Sequence, residues 1–103
     1  MLKLFKLTTG ETVITRVKEE KDGLLHLEKP ATVGVMANPK GETMIVVLPF
    51  MLGTKKDAPI LLSKSQIVAE VNEAGIDHMV KNQYLQVVTG LVMASPEQVL
   101  NTN

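Results

Sequence analysis

Met1-Leu2-Lys3-Leu4-Phe5-Lys6-Leu7, then Thr8-Thr9-Gly10-Glu11, then Thr12-Val13-Ile14-Thr15-Arg16-Val17-Lys18-Glu19 is the stretch that decides the fold. Leu2, Leu4 and, past Phe5, Leu7 give a short run the apolar alternation of a half-buried strand. Gly10 with Glu11 supplies a reversal. In the second run Val13, Thr15 and Val17 share one face, and Ile14, Arg16 and Lys18 share the other, because side chains alternate along a strand. Two such runs joined by a glycine-containing turn predict a β-hairpin.

The same grammar continues through residue 72. Glu19-Glu20-Lys21-Asp22-Gly23 ends the second strand, and Asp-Gly is the favoured pair for a tight turn with positive φ. The third strand, Leu24–Met36, sets Leu25 and Leu27 against His26 and Glu28. Pro30 removes a ladder donor in its middle, which predicts a bend or an edge position. Asn38-Pro39-Lys40-Gly41 is a second clear turn. The fourth strand, Thr43–Leu48, is apolar on both faces and stops at Pro49. A polar loop, Gly53–Pro59, leads to a fifth strand, Ile60–Val71, which Ser63-Lys64-Ser65-Gln66 splits. From Glu73 the period changes: Ile76, Val80, Tyr84, Val87, Val88 and Leu91 form a helical stripe over residues 73–90. Gly90 is the expected stop, and residues 95–103 are expected to be a disordered tail. The reading is one domain, residues 1–94, with strands in 1–72.

Composition narrows the function. The 103 residues are 45% hydrophobic with two Phe and one Tyr, so some aliphatic side chains are expected to cover a subunit contact. Lys plus Arg equals Asp plus Glu, 11 each, which argues against a protein that coats nucleic acid non-specifically. There is no cysteine, hence no disulfide or thiolate chemistry. No run approaches the roughly 18 apolar residues of a membrane helix, and the N-terminal alternation lacks a secretory apolar core. A cytoplasmic protein without membrane contact is the expectation.

Catalytic patterns are missing. His26 and His78 have no ligand-like spacing, Ser63 and Ser65 sit in no nucleophile elbow, and no glycine cluster forms a phosphate-cradling loop. Glu19-Glu20 beside Lys18 and Lys21 reads as a solvated hairpin end. No enzyme, cofactor, metal or small-molecule substrate is expected. Lys55-Lys56 and Lys64 are the candidates for an anionic ligand, against the plainer role of edge lysines in keeping strands from associating.

Leu7-x-x-Gly10 followed by Val13-Ile14-x-x-Val17 resembles the opening of the first Sm motif. Leu62-Ser63-Lys64-Ser65-Gln66-Ile67-Val68 resembles the second: a hydrophobic residue, a basic and small polar turn, then a hydrophobic pair. The opening Lys3-Leu4-Phe5-Lys6-Leu7-Thr8-Thr9-Gly10-Glu11 and the later Lys81-Asn82-Gln83-Tyr84 are also similar to small Sm-like proteins of marine cyanobacterial phages. The sequence departs from RNA-binding Sm proteins in two places. Leu27–Thr32 holds neither the Asp nor the Asn those proteins carry, and Ser63-Lys64 stands where they have Arg-Gly. The usual N-terminal helix is replaced by a C-terminal one.

The resemblance implies a mainly β fold: a five-stranded, bent, antiparallel Sm-like small barrel with a C-terminal α-helix. It implies self-assembly into a closed ring of about five to seven copies by joining edges head to tail. Met44, Ile45, Val46, Val47, Leu48, Ile67 and Val68 are the candidate contacts. It implies single-stranded RNA as the ligand, with Ser63, Lys64, Ser65, Lys55 and Lys56 as candidate contacts. The alternative is a structural or protein-docking ring with no nucleic-acid role.

Overall fold

The computed structural model describes residues 1–51, 53–55 and 58–89. These described residues are mainly β: six antiparallel strands in one open sheet, followed by one helix. The strands are β1 (Leu2–Leu7), β2 (Thr12–Lys21), β3 (Leu24–Ala37), β4 (Thr43–Pro49), β5 (Ile60–Ser63) and β6 (Ile67–Asn72), and the helix is α1 (His78–Thr89). The order across the sheet is β4-β3-β2-β1-β6, with β5 also on β3. The fifth strand expected from sequence is two strands, because Lys64–Gln66 closes a 3₁₀ turn in which Ile67 N–H reaches the Lys64 carbonyl. The expected Gly90 stop and the tail from residue 95 lie outside the described residues.

Turn chemistry follows the sequence. Asp22 (φ 55°) and Gly23 (φ 78°) both sit in the left-handed region, as a two-residue hairpin turn requires. β3 bends at Lys29-Pro30. Its first part pairs with β5, Leu24↔Ser63 to Leu27↔Ile60; its second part pairs with β4, Ala31↔Pro49 to Ala37↔Thr43. At the bend Lys29 takes φ 51°, and two β3 residues, Lys29 and Pro30, lie opposite the single β2 residue Thr15. This bulge interrupts the ladder. The Thr15 hydroxyl, fully buried, lies 3.1 Å from the Glu28 carbonyl and 3.0 Å from that of Arg16, one donor shared between two acceptors.

An extra residue also flips side-chain parity. Before the bend Leu25 and Leu27 join Phe5, Leu7 and Val13 in one core cluster. After it Ala31 joins Leu2, Ile14 and Val47 in the other, together with Ile76, Val80 and Tyr84. Val13, Ile14 and Thr15 are therefore all buried, because the middle of β2 is covered on both faces.

The helix starts later than residue 73. Glu73–Gly75 is a separate 3₁₀ turn, and Asp77 caps α1 by accepting from Met79 N–H at 2.8 Å and Val80 N–H at 3.4 Å. Tyr84 is 0% exposed and donates its hydroxyl to the Lys29 carbonyl at 2.9 Å, so the helix is tied to the bend itself. Among the described residues no helix is long and apolar enough to cross a membrane.

Tyr84→Ala is expected to cost on the order of 3 kcal/mol in urea unfolding through lost packing, and Tyr84→Phe about 1 kcal/mol through the lost hydrogen bond. Two variants both within about 0.5 kcal/mol of wild type, the range of surface substitutions, would mean that α1 does not hold the fold.

Candidate functional site

Among the described residues three strands have an edge without a neighbour: β4 and the short β5, both on β3, at one end, and β6 at the other. Which groups they offer follows from ladder alternation. Asn38 N–H bonds the Glu42 carbonyl at 2.9 Å and starts the β3–β4 ladder. Antiparallel pairs alternate between bonded and non-bonded, so Met36↔Met44, Gly34↔Val46 and Thr32↔Leu48 are bonded pairs. Thr43, Ile45, Val47 and Pro49 then turn their backbone outward. Pro49 has no N–H to lose there, which is why a proline is tolerated in this strand. The outward Ile45 carbonyl accepts a 2.9 Å hydrogen bond from Gln83 Nε2 of α1, so the helix caps part of this edge.

On the other side, Leu7 N–H bonds the Glu11 carbonyl and Val17 N–H the Met1 carbonyl, both at 2.9 Å, so the odd residues of β1 serve β2. Leu4 and Lys6 serve β6 through Val71 and Ala69, and Glu70 and Asn72 face outward.

Exposed apolar side chains gather near the β4 and β6 edges: Val35, Met36, Met44, Ile45 and Leu48 at one, Val68 and Val71 at the other, with Val35 at 72% and Val68 at 63% exposure. The candidate contact residues divide accordingly. Met44, Ile45, Leu48 and Val68 are exposed, Val46 and Ile67 half-buried, and Val47 is in the core beneath α1.

The candidate anion-binding residues also divide. Ser63, Lys64 and Ser65 stay together at the 3₁₀ turn, but their polar groups are engaged. The two serine hydroxyls lie 2.8 Å apart, and Lys64 Nζ bonds Glu20 Oε2 at 2.8 Å. A cleft of about 490 Å³ beside them has Phe5, Leu25 and Ile67 in its lining and Lys3, Glu20, Lys64 and Glu70 as its charges. Those charges form two ion pairs, Lys64 with Glu20 and Lys3 with Glu70. The hydrogen bond and charge of Glu20 raise the Lys64 pKa above its ordinary 10.5.

Lys55 is elsewhere, in the lining of a second cleft of about 1050 Å³, between the β2–β3 hairpin, the segment after β4 and the end of α1. Lys56 lies outside the described residues. Around the second cleft stand Arg16, Lys18, Lys29 and Lys55, with Glu28 the one carboxylate among the described residues of the lining, over Pro30, Phe50 and Leu85. None of the four cations has a carboxylate within ion-pairing distance among the described residues. Sequence reasoning put Arg16 and Lys18 on one strand face but gave no sign that Lys29 and Lys55 would meet them. Among the described residues no three His, Asp or Glu side chains gather as a metal site.

No protein-family model matches the chain, and no curated protein does.

Alkaline pH tests these environments. Burial raises the pKa of the Tyr84 phenol above its ordinary 10.0, partly offset by the Arg16 charge. A pKa raised by folding means that the stability involved is complete below the unfolded-state value and is lost as pH rises through the folded one. For Tyr84 and Lys64 alike the loss begins near pH 10. Tyr84 is the single tyrosine, so tyrosinate absorbance reports it alone. Its titration should be displaced to higher pH than that of the urea-unfolded chain, and coincident curves would contradict the buried phenol.

Proposed function

We propose that the chain is a self-assembling module of Sm-like type whose protomers join the β4 edge of one copy to the β6 edge of the next. The observation that carries this reading is the unpaired edges of β4 and β6, the two ends of the main strand order, each with outward backbone groups and exposed apolar side chains beside it. Such edges are a liability in a monomer, and head-to-tail pairing closes them into a ring when the rotation fits. About five to seven copies is the number the Sm resemblance brings.

Two roles go with such a ring. In one it binds single-stranded RNA through the Lys64 turn. In the other it is a structural or protein-docking ring, and the Lys64–Glu20 ion pair favours this one. An ammonium already matched by a carboxylate has less to offer a phosphate, and the neighbouring Lys3 is matched in the same way.

Native mass spectrometry at micromolar protein is expected to give one closed oligomer. Leu48→Lys, at an exposed site, should dissociate it into folded monomers; a wild-type chain that is monomeric at that concentration defeats the proposal. A labelled uridine- or adenine-rich oligonucleotide separates the two roles. The structural reading expects no binding at low salt. The RNA reading expects binding that weakens with a log–log salt slope of about −0.7 per phosphate contact and tightens in Glu20→Gln, which releases Lys64.

A further inference from the structure

The geometry points to a ligand site in the larger cleft, built for a small molecule with an anionic headgroup on an apolar body. The chain as a whole is neutral, with 11 basic and 11 acidic residues. Its described ion pairs are Lys3–Glu70, Lys64–Glu20 and Lys81–Glu73. Against that background, four cations with no ion-pair partner among the described residues, facing one cleft whose described lining has a single carboxylate, are a concentration of positive potential. A low-dielectric wall focuses such a field and raises the local concentration of anions.

Local backbone puts the cations there. Arg16 and Glu28 are register partners on β2 and β3, and Lys18 is the extra residue of a second bulge, between Val17↔Leu27 and Glu19↔His26. Lys29 reaches the cleft because its φ of 51° turns it out of the strand. Arg16 offers a planar fork of N–H donors that suits a carboxylate or phosphate.

The floor selects the rest of the ligand. Phe50 is half-buried and Leu85 exposed, and together they present apolar surface that an inorganic anion would leave wet. The volume, about 1050 Å³, is just above the range of small-molecule sites, roughly 300–1,000 Å³. Nucleic acid fits less well. Phe50 and the His26 imidazole are the two aromatic rings in the described lining, too few for a series of stacking platforms for successive bases. Every residue named comes from one protomer, so the site does not depend on ring assembly.

The test uses the full chain and a set of probes that share one tail: octanoate, octyl phosphate and octyltrimethylammonium, with inorganic phosphate as headgroup alone, each titrated calorimetrically. One molecule of an anionic probe per chain is expected, and the preference between octanoate and octyl phosphate identifies the headgroup. The cationic probe should not bind, and inorganic phosphate should bind at least roughly tenfold more weakly. The double variant Arg16→Gln, Lys29→Gln should lose about tenfold or more in affinity for the anionic probe. Lys6→Gln, Lys40→Gln removes the same charge at exposed sites away from the cleft and should change nothing. Circular dichroism establishes that each variant is folded, and Lys29→Gly, which the positive φ accommodates, replaces Lys29→Gln if that one is not. The proposal is overturned by equal binding of cationic and anionic probes, by equal loss in the two double variants, by no anionic binding at millimolar probe, or by displacement of the probe by a uridine oligonucleotide, which would make the cleft a nucleic-acid contact.

Discussion

The bend of β3 at Lys29-Pro30 is the constraint on which the rest of the molecule depends. A straight strand of this length would keep the same neighbour throughout. The bulge lets β3 leave β5 and take up β4, and it reverses which face its odd-numbered residues occupy. Leu25 and Leu27 then serve one core and Ala31 the other. Pro30 makes the interruption inexpensive, since it has no N–H to leave unpaired. Thr15 donates to the Glu28 carbonyl just before the bulge, and Tyr84 ties α1 to the Lys29 carbonyl. A buried carbonyl left without a donor would cost about 1–3 kcal/mol, so these two side chains stabilise the irregularity from opposite faces.

The consequences for function follow from where the bend sends the chain. β4 is carried away from β5, these two end the sheet on the β3 side, and β6 ends it on the other. The β4 and β6 edges are not long, and each is partly protected. Pro49 blunts β4, Gln83 caps Ile45, and the Lys3–Glu70 ion pair lies along β6. These are the devices by which natural sheets limit indiscriminate pairing. The apolar side chains left beside them, Ile45, Leu48 and Val68 among them, are what make a specific pairing attractive.

Electrostatically the molecule has two unlike clefts. In the smaller one Lys64 and Lys3 face Glu20 and Glu70, and the charges cancel locally. In the larger one Arg16, Lys18, Lys29 and Lys55 face Glu28, the one carboxylate of its described lining. Overall neutrality hides this difference, because the sum over the chain carries no record of which charges are neighbours.

Much of the fold was legible in the residues because strand alternation and turn chemistry are local. Gly10, Asp22-Gly23 and Asn38-Pro39-Lys40-Gly41 mark reversals whatever surrounds them, and Pro30 announces a bend wherever it falls in a strand. The helical stripe of Ile76, Val80 and Tyr84 needed only its spacing, although Asp77 rather than Glu73 caps the helix, a matter of one hydrogen bond that periodicity does not register. Partner choice was not legible. Whether Lys64 meets a ligand or Glu20 depends on residues 44 positions apart in the chain. Whether Val47 faces solvent or Tyr84 depends on how α1 folds back. The sequence by itself determined the strands, the turns and the existence of the bend, since those energies are set between near neighbours. Only the tertiary structure decided which charges are matched, which edges stay open and which cations share a cleft, because burial and Coulomb interaction act through space and not along the chain.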